Sequence, residues 1–263
     1  LRFVHQPLNI NDVFSGLRTL KYEEGLLYFL KLLLIKRVNS TLFNDHKQIV
    51  NLKDANTFVQ NLPFKLTAEQ LKAVREIGYD MNKETLMYRL LQGDVGSGKT
   101  VVSFTALYIN YLRGAQGVLL APTESLARQH YTSLLTFFKP FKLNIRLLIG
   151  ALKESDKTAL KADIQAGKID IIVGTHALFS ENVVYPRLEL VIIDEQQKFG
   201  VNQRQTLVNK GDKADLLLLS ATPIPQTLAN VIYGDMDITT IEAFPYAKRD
   251  VETQVVTHKD KIV

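Results

Sequence analysis

Residues Gly93-Asp94-Val95-Gly96-Ser97-Gly98-Lys99-Thr100 follow a strand-like Tyr88-Arg89-Leu90-Leu91-Gln92 and precede a helix-like run from Val101 to Leu107. A glycine-rich turn in that setting leaves few folds open. Glycines 93, 96 and 98 let backbone N–H groups turn inward with no Cβ in the way. The helix N-terminus that follows adds about half a unit of positive charge. Lys99 offers an ammonium to β- and γ-phosphates, and Thr100 a hydroxyl to Mg²⁺. The whole stretch Gly93 to Thr100 therefore reads as a phosphate loop for a nucleoside triphosphate.

Such a loop needs a carboxylate to hold the metal, normally at the end of another strand. Leu190-Val191-Ile192-Ile193-Asp194-Glu195 supplies it. The apolar residues bury the strand, and the acids emerge at its carboxyl end, where open α/β sheets place ligands. Asp194 is expected to bind Mg²⁺ and Glu195 to orient and polarise the attacking water.

The surroundings of these segments set the fold class. Apolar runs recur at Met87–Leu91, Val118–Ala121, Ile145–Ile149, Ile169–Val173, Leu188–Ile193 and Leu216–Leu219. Helical stretches lie between them near Thr100–Leu112, Glu124–Phe137, Lys153–Ala166 and Asn202–Val208. Thr67, with Gln70 three residues on, is a capping-box signature that opens a helix to about Ile77. Continuous apolar strands separated by helices predict a parallel sheet covered by helices on both faces.

The first 62 residues read differently. From Leu17 to Arg37 apolar residues recur at mixed helical spacing, which predicts one long helix buried over much of its surface. A polar connector with a short helix follows, to Asn61, and Pro63 punctuates the chain. Beyond Phe244 a strand-like Glu252–Thr257 stops without a terminating element. With no initiator Met, the chain looks like a piece of something longer. The longest apolar run, Leu26 to Ile35, is interrupted by Lys31 and is about half of a bilayer span. No cysteine is present, which excludes disulfides and thiolate metal sites and fits a reducing cytoplasm. The net charge of +5 suits an acidic partner or a merely solvated surface equally well.

The segments around the loop resemble those of superfamily 2 helicases and translocases. Ala121-Pro122-Thr123-Glu124-Ser125-Leu126-Ala127-Arg128-Gln129-His130 looks like their motif Ia, and Gly174-Thr175-His176-Ala177-Leu178 like motif Ib. Asp194-Glu195-Gln196-Gln197 stands where the DEAD/DEAH-type box belongs, and Ser220-Ala221-Thr222-Pro223 matches motif III. Closer still, Gly93-Asp94-Val95-Gly96, the Phe199-Gly200-Val201 that follows the acid box, Pro223-Ile224-Pro225-Gln226-Thr227-Leu228 and Tyr233-Gly234-Asp235-Met236-Asp237 resemble the RecG family of branched-DNA translocases. Val4-His5-Gln6-Pro7 and the leucine-rich helix are similar to that family's link between wedge and motor.

The resemblance implies a RecA-like lobe over residues 63–244, a helical linker over 1–62 and the start of a second lobe over 245–263. It implies ATP and Mg²⁺ as cofactors, and Lys99, Asp194, Glu195 and Gln197 as the hydrolytic set. Gln70 is placed like the glutamine that reads adenine. Pro122, Thr123, Gly174, Thr175 and His176 would meet a DNA backbone, with Arg128 and His130 adding charge, while Ser220 and Thr222 relay between ATP and DNA. His176 has a second reading, as a packed strand-end histidine. The implied partner is branched double-stranded DNA, at forks and Holliday junctions, together with a single-strand-binding protein by the same resemblance. Two positions depart from the family: Gln197 stands where His is usual, and Gln226 where Arg is usual. A chain holding one lobe lacks an arginine finger, so weak hydrolysis on its own is expected. Rival readings are a duplex translocase of the transcription-repair coupling type, and an ATP-binding lobe without turnover of its own.

Overall fold

A computed structural model describes residues 2–39, 44, 47–195, 198–199, 210, 213–221 and 236–242. Its centre is one parallel sheet. The strands are β1 (Tyr88–Gly93), β2 (Gln116–Leu120), β3 (Ile145–Leu148), β4 (Ile171–Gly174), β5 (Leu188–Ile193), β6 (Asp215–Ser220) and β7 (Asp237–Ile241). They lie in the order β3-β4-β2-β5-β6-β1-β7, and every neighbouring pair is parallel. Six of the seven match the apolar runs of the sequence to within a few residues. The exception, β7, mixes three polar residues with two isoleucines and is an edge strand, half open to solvent.

Side-chain alternation divides the sheet between two cores. Leu91, Leu119, Ile171, Val173, Leu190, Ile192, Leu217 and Leu219 face one core. Leu90, Val118, Leu120, Ile172, Val191, Ile193, Leu216 and Leu218 face the other. A strand buried on both faces must be apolar at successive positions, which is why these runs show no polar alternation. The first face is covered by α3 (Leu52–Gln60), α4 (Ala68–Met81), α5 (Lys99–Leu112) and α6 (Glu124–Phe137). The second is covered by α7 (Glu154–Gln165), through Leu160 and Ile164, and by the segment from Leu178 to Tyr185. The expected helix over Asn202–Val208 lies outside the described residues.

The capping box is present at the start of α4: Thr67 Oγ1 accepts from Gln70 N–H, and Gln70 Oε1 accepts from Thr67 N–H. This helix runs past the expected Ile77 to Met81. Residues expected as a connector pack directly on the lobe. Phe58 of α3 stacks on Phe138 with ring centroids 4.7 Å apart and on Tyr108 at 5.5 Å. Asn82 Nδ2 donates to Val50 O, and Asn44 Nδ2 to Lys213 O.

The N-terminal helices behave differently. The helix expected over Leu17–Arg37 is longer, α2 spanning Ile10–Asn39, and a short α1 (Arg2–His5) precedes it. It is not buried as expected: Leu27 is 68% and Leu34 63% exposed. The physical reason is the spread of its apolar residues. Leu26, Leu27, Tyr28, Phe29 and Leu30 are consecutive and point all round the axis, so no one face can seat them.

At the amino ends of the strands, opposite the phosphate loop, sits a buried charge cluster. Asp215, at 0% exposure, takes Lys47 Nζ at 2.8 Å on Oδ1 and Arg113 Nη1 at 3.2 Å on Oδ2. Met87 N–H also donates to it at 2.7 Å. One carboxylate thus fastens the connector, the end of α5 and the start of β1 to β6. Substituting Asp215→Ala leaves two cations buried without a counter-ion, and a loss of about 3–5 kcal/mol is expected. Urea unfolding of the variant tests this, and a loss below about 1 kcal/mol, the surface-pair range, contradicts it.

Candidate nucleotide site

Because all strands are parallel, their carboxyl ends share one edge, and every candidate segment except those outside the described residues sits along it. The phosphate loop leaves β1 at Gly93 and enters α5 at Lys99. Gly96 and Gly98 hold φ of +85° and +91°, a region that glycine alone enters freely. At Gly98 a Cβ would lie 2.2 Å from Gln70 Nε2. That close approach has a purpose in the fold: Gln70 Nε2 donates to Ser97 O at 2.8 Å, so α4 braces the loop from outside.

Gln70 therefore does two jobs at once, capping α4 and pinning the loop, and it is 2% exposed. An amide carries two donors and two acceptor lone pairs, so one of each remains beyond these bonds. An open groove of about 590 Å³ begins beside it, lined by Leu62, Pro63, Phe64, Leu66 and Leu71.

Lys99 is folded under the loop. Its Nζ donates to Gly93 O at 2.6 Å and Asp94 O at 2.9 Å, which leaves a third ammonium proton for an anion. Burial draws this lysine below its ordinary pKa, and the charges of Asp194, Glu195 and Asp94 pull it back up. Ser97 Oγ is buried in the loop with no hydrogen-bond partner among the described residues. Thr100, half-buried, opens the helix beside Lys99. An ammonium, a hydroxyl and a helix N-terminus beside a glycine-rich loop form a donor set that fits a triphosphate with its Mg²⁺.

The acids stand across from the loop at the end of β5. Asp194 N–H donates to Leu120 O at 2.9 Å, which ties this end to β2. Asp194 Oδ1 accepts from Glu195 N–H at 2.9 Å. Glu195 holds φ of +49°, a left-handed conformation uncommon for a non-glycine residue, and Lys198 N–H closes a turn back onto its carbonyl. The chain thus bends sharply immediately after the metal-type acid. Gln197 lies outside the described residues.

The structure corrects the reading of His130. It does not add charge to a DNA face: it points inward, 6% exposed, with Nε2 2.7 Å from Asp194 Oδ2. Ala127, His130 and Leu134 form the buried stripe of α6, so helical spacing was the signal that could have found it.

The segments likened to motifs Ia and Ib lie further along the same edge. Thr123 is exposed, and its Oγ1 caps α6 by accepting from Leu126 N–H. Pro122 is half-buried before it. Ala121 N–H donates to Gly174 O, joining the two segments. Gly174 packs so closely that a Cβ would lie 2.2 Å from Leu148 O. Thr175 turns its side chain inward, with Oγ1 buried and no partner among the described residues, so its hydroxyl is not on the surface. His176 is exposed, not packed at the strand end. Ser220 is buried beside Gln92 in register, one residue before the loop, and Thr222 lies outside the described residues.

A parallel sheet with a phosphate loop after one strand and an acid pair after another defines a P-loop nucleotide-binding lobe. The family model of the DEAD/DEAH box helicases matches residues 67–231, and the chain belongs to that family. The chain is 42% identical to the ATP-dependent DNA helicase RecG of Bacillus subtilis (strain 168), over 98% of this chain and 38% of that protein. Against the RecG of Thermotoga maritima it is 48% identical over 78% of this chain and 26% of the relative. A solved structure of RecG bound to a three-way DNA junction superposes with a TM-score of 0.79 at 41% identity, over 92% of this chain and 32% of that one. The chain thus spans well under half the length of these relatives. No helix among the described residues is long and apolar enough to cross a membrane.

Gly98→Ala puts a methyl group into Gln70 and forces a strained φ. We expect it to weaken ATP binding at least tenfold, about 1.4 kcal/mol. Titration with a fluorescent ATP analogue measures this, and an unchanged dissociation constant contradicts the bracing role.

Proposed function

We propose that this chain provides the ATP-binding lobe of a DNA helicase that acts on branched double-stranded DNA in recombination and repair. The observation that carries the reading is the shared edge, where the phosphate loop, Asp194 and Glu195 stand beside the strand ends at Pro122–Thr123 and Gly174–His176. High identity to RecG proteins and likeness to RecG on a three-way DNA junction support the choice of DNA.

In this reading Lys99 takes the β- and γ-phosphates and the loop N–H groups cradle them. Thr100 and Asp194 hold Mg²⁺, which neutralises charge on the phosphates. Glu195 orients a water and accepts its proton. Gln70 reads the adenine edge, with the base lying toward the groove at Phe64. Exposed Thr123 and His176 contact the DNA backbone without base preference. Ser220, beside Gln92, and Thr222 pass the state of the ATP site along the edge, and Gln197 takes part in that link. Residues 1–62 act as the helical approach to the lobe at 63–244, and 245–263 as the lead into a second lobe. Forks and Holliday junctions are the substrates of this reading, with a single-strand-binding protein as a partner and the cytoplasm as its place.

Lys99→Ala in the full-length protein should abolish ATP turnover and, with it, remodelling of a three-way junction. Junction remodelling that persists unchanged in this variant contradicts the motor reading.

A further inference from the structure

His130 is held in two directions. Its Nε2 lies 2.7 Å from Asp194 Oδ2 at the end of β5. Its ring meets Phe104 of α5 edge-on, with centroids 6.5 Å apart. That helix grows out of the phosphate loop, while α6, which carries His130, starts at the exposed Thr123. One buried imidazole therefore touches the acid and the helix behind the loop, from a helix that starts at the end of β2.

The hydrogen bond matters for what Asp194 can do. Its Oδ1 is already engaged by Glu195 N–H, so a second bond at Oδ2 fixes the rotation of the carboxylate about Cβ–Cγ. A carboxylate oxygen has two lone pairs, so each oxygen keeps one for a metal. Groups that hydrogen-bond to metal-ligating side chains set their orientation, and their loss typically costs ten- to a hundredfold in metal affinity or activity. Ring packing against Phe104 alone would be served as well by phenylalanine; the bond to Asp194 would not.

We propose that His130 is a positioning residue for Asp194, which holds the acid in the orientation that takes the Mg²⁺ of the bound nucleotide. The proposal rests on the ATP and Mg²⁺ reading above and adds to it the last residue of the segment likened to motif Ia, on α6. It also links the two sides of the edge: a shift of α6 at Thr123 moves the hydrogen-bond donor of the metal acid.

The test compares His130→Phe, which keeps the ring packing, with His130→Gln, whose Nε2 can replace the imidazole N–H. The dissociation constant of a fluorescent ATP analogue is measured on the full-length protein with Mg²⁺ and with EDTA. His130→Phe should bind about ten- to a hundredfold more weakly than wild type with Mg²⁺ and equally well with EDTA. His130→Gln should recover most of the loss. Wild-type affinity of His130→Phe in Mg²⁺ overturns the proposal, and so does an equal loss with and without metal, which marks a packing role. If wild type itself gains no affinity from Mg²⁺, the ATP and Mg²⁺ reading falls, and this proposal with it.

Discussion

Parallel strand pairing is the interaction on which the rest depends. Each strand must be reached by a crossover from the far edge of the sheet, so each ends at the same side as its neighbours. That rule carries Gly93, Ala121, Gly174, Asp194 and Ser220 to one edge although they are spread over more than a hundred residues. Cross-links then lock the edge locally: Asp194 N–H to Leu120 O, and Ala121 N–H to Gly174 O. Glycine appears where neighbours leave no room for a side chain, at Gly98 against the Gln70 amide and at Gly174 against the Leu148 backbone.

The opposite edge serves stability. Asp215 gathers Lys47 and Arg113, all three side chains buried, and it pins residues before the lobe proper to the start of β6. The same strand ends at Ser220, beside the phosphate loop. Chemistry and anchorage are thus carried at the two ends of the same strands. This separation lets the site edge hold a strained residue, the left-handed Glu195, without unfastening the sheet.

Much of this was legible in the sequence because it is written in local chemistry. The loop shows its glycines, and doubly buried strands show unbroken apolar runs such as Leu190–Ile193. The capping pair Thr67 and Gln70 was visible at its spacing, but not the second use of Gln70 on Ser97, which depends on two helices meeting in space. Strand β7 was missed because a short, mostly polar edge strand has no continuous apolar run to mark it. Asp215 carried no signal in the sequence, because its partners Lys47 and Arg113 lie far away in the chain. His130 was misread because a histidine in a helix likened to a DNA-contact motif suggests surface charge, although its spacing with Ala127 and Leu134 placed it on the apolar stripe. The exposed leucines of α2 show the limit of the opposite inference: apolar composition without a single face gives no packing surface.

In the proposed reading, one sheet edge joins an ATP site to a DNA-contacting face. The most direct measurement is the ATP turnover of the full-length protein during titration with a three-way DNA junction, alongside a linear duplex of the same composition. Little turnover is expected without DNA, with a rise on addition of either DNA and a higher plateau with the junction. Turnover that is the same with and without DNA would contradict that reading.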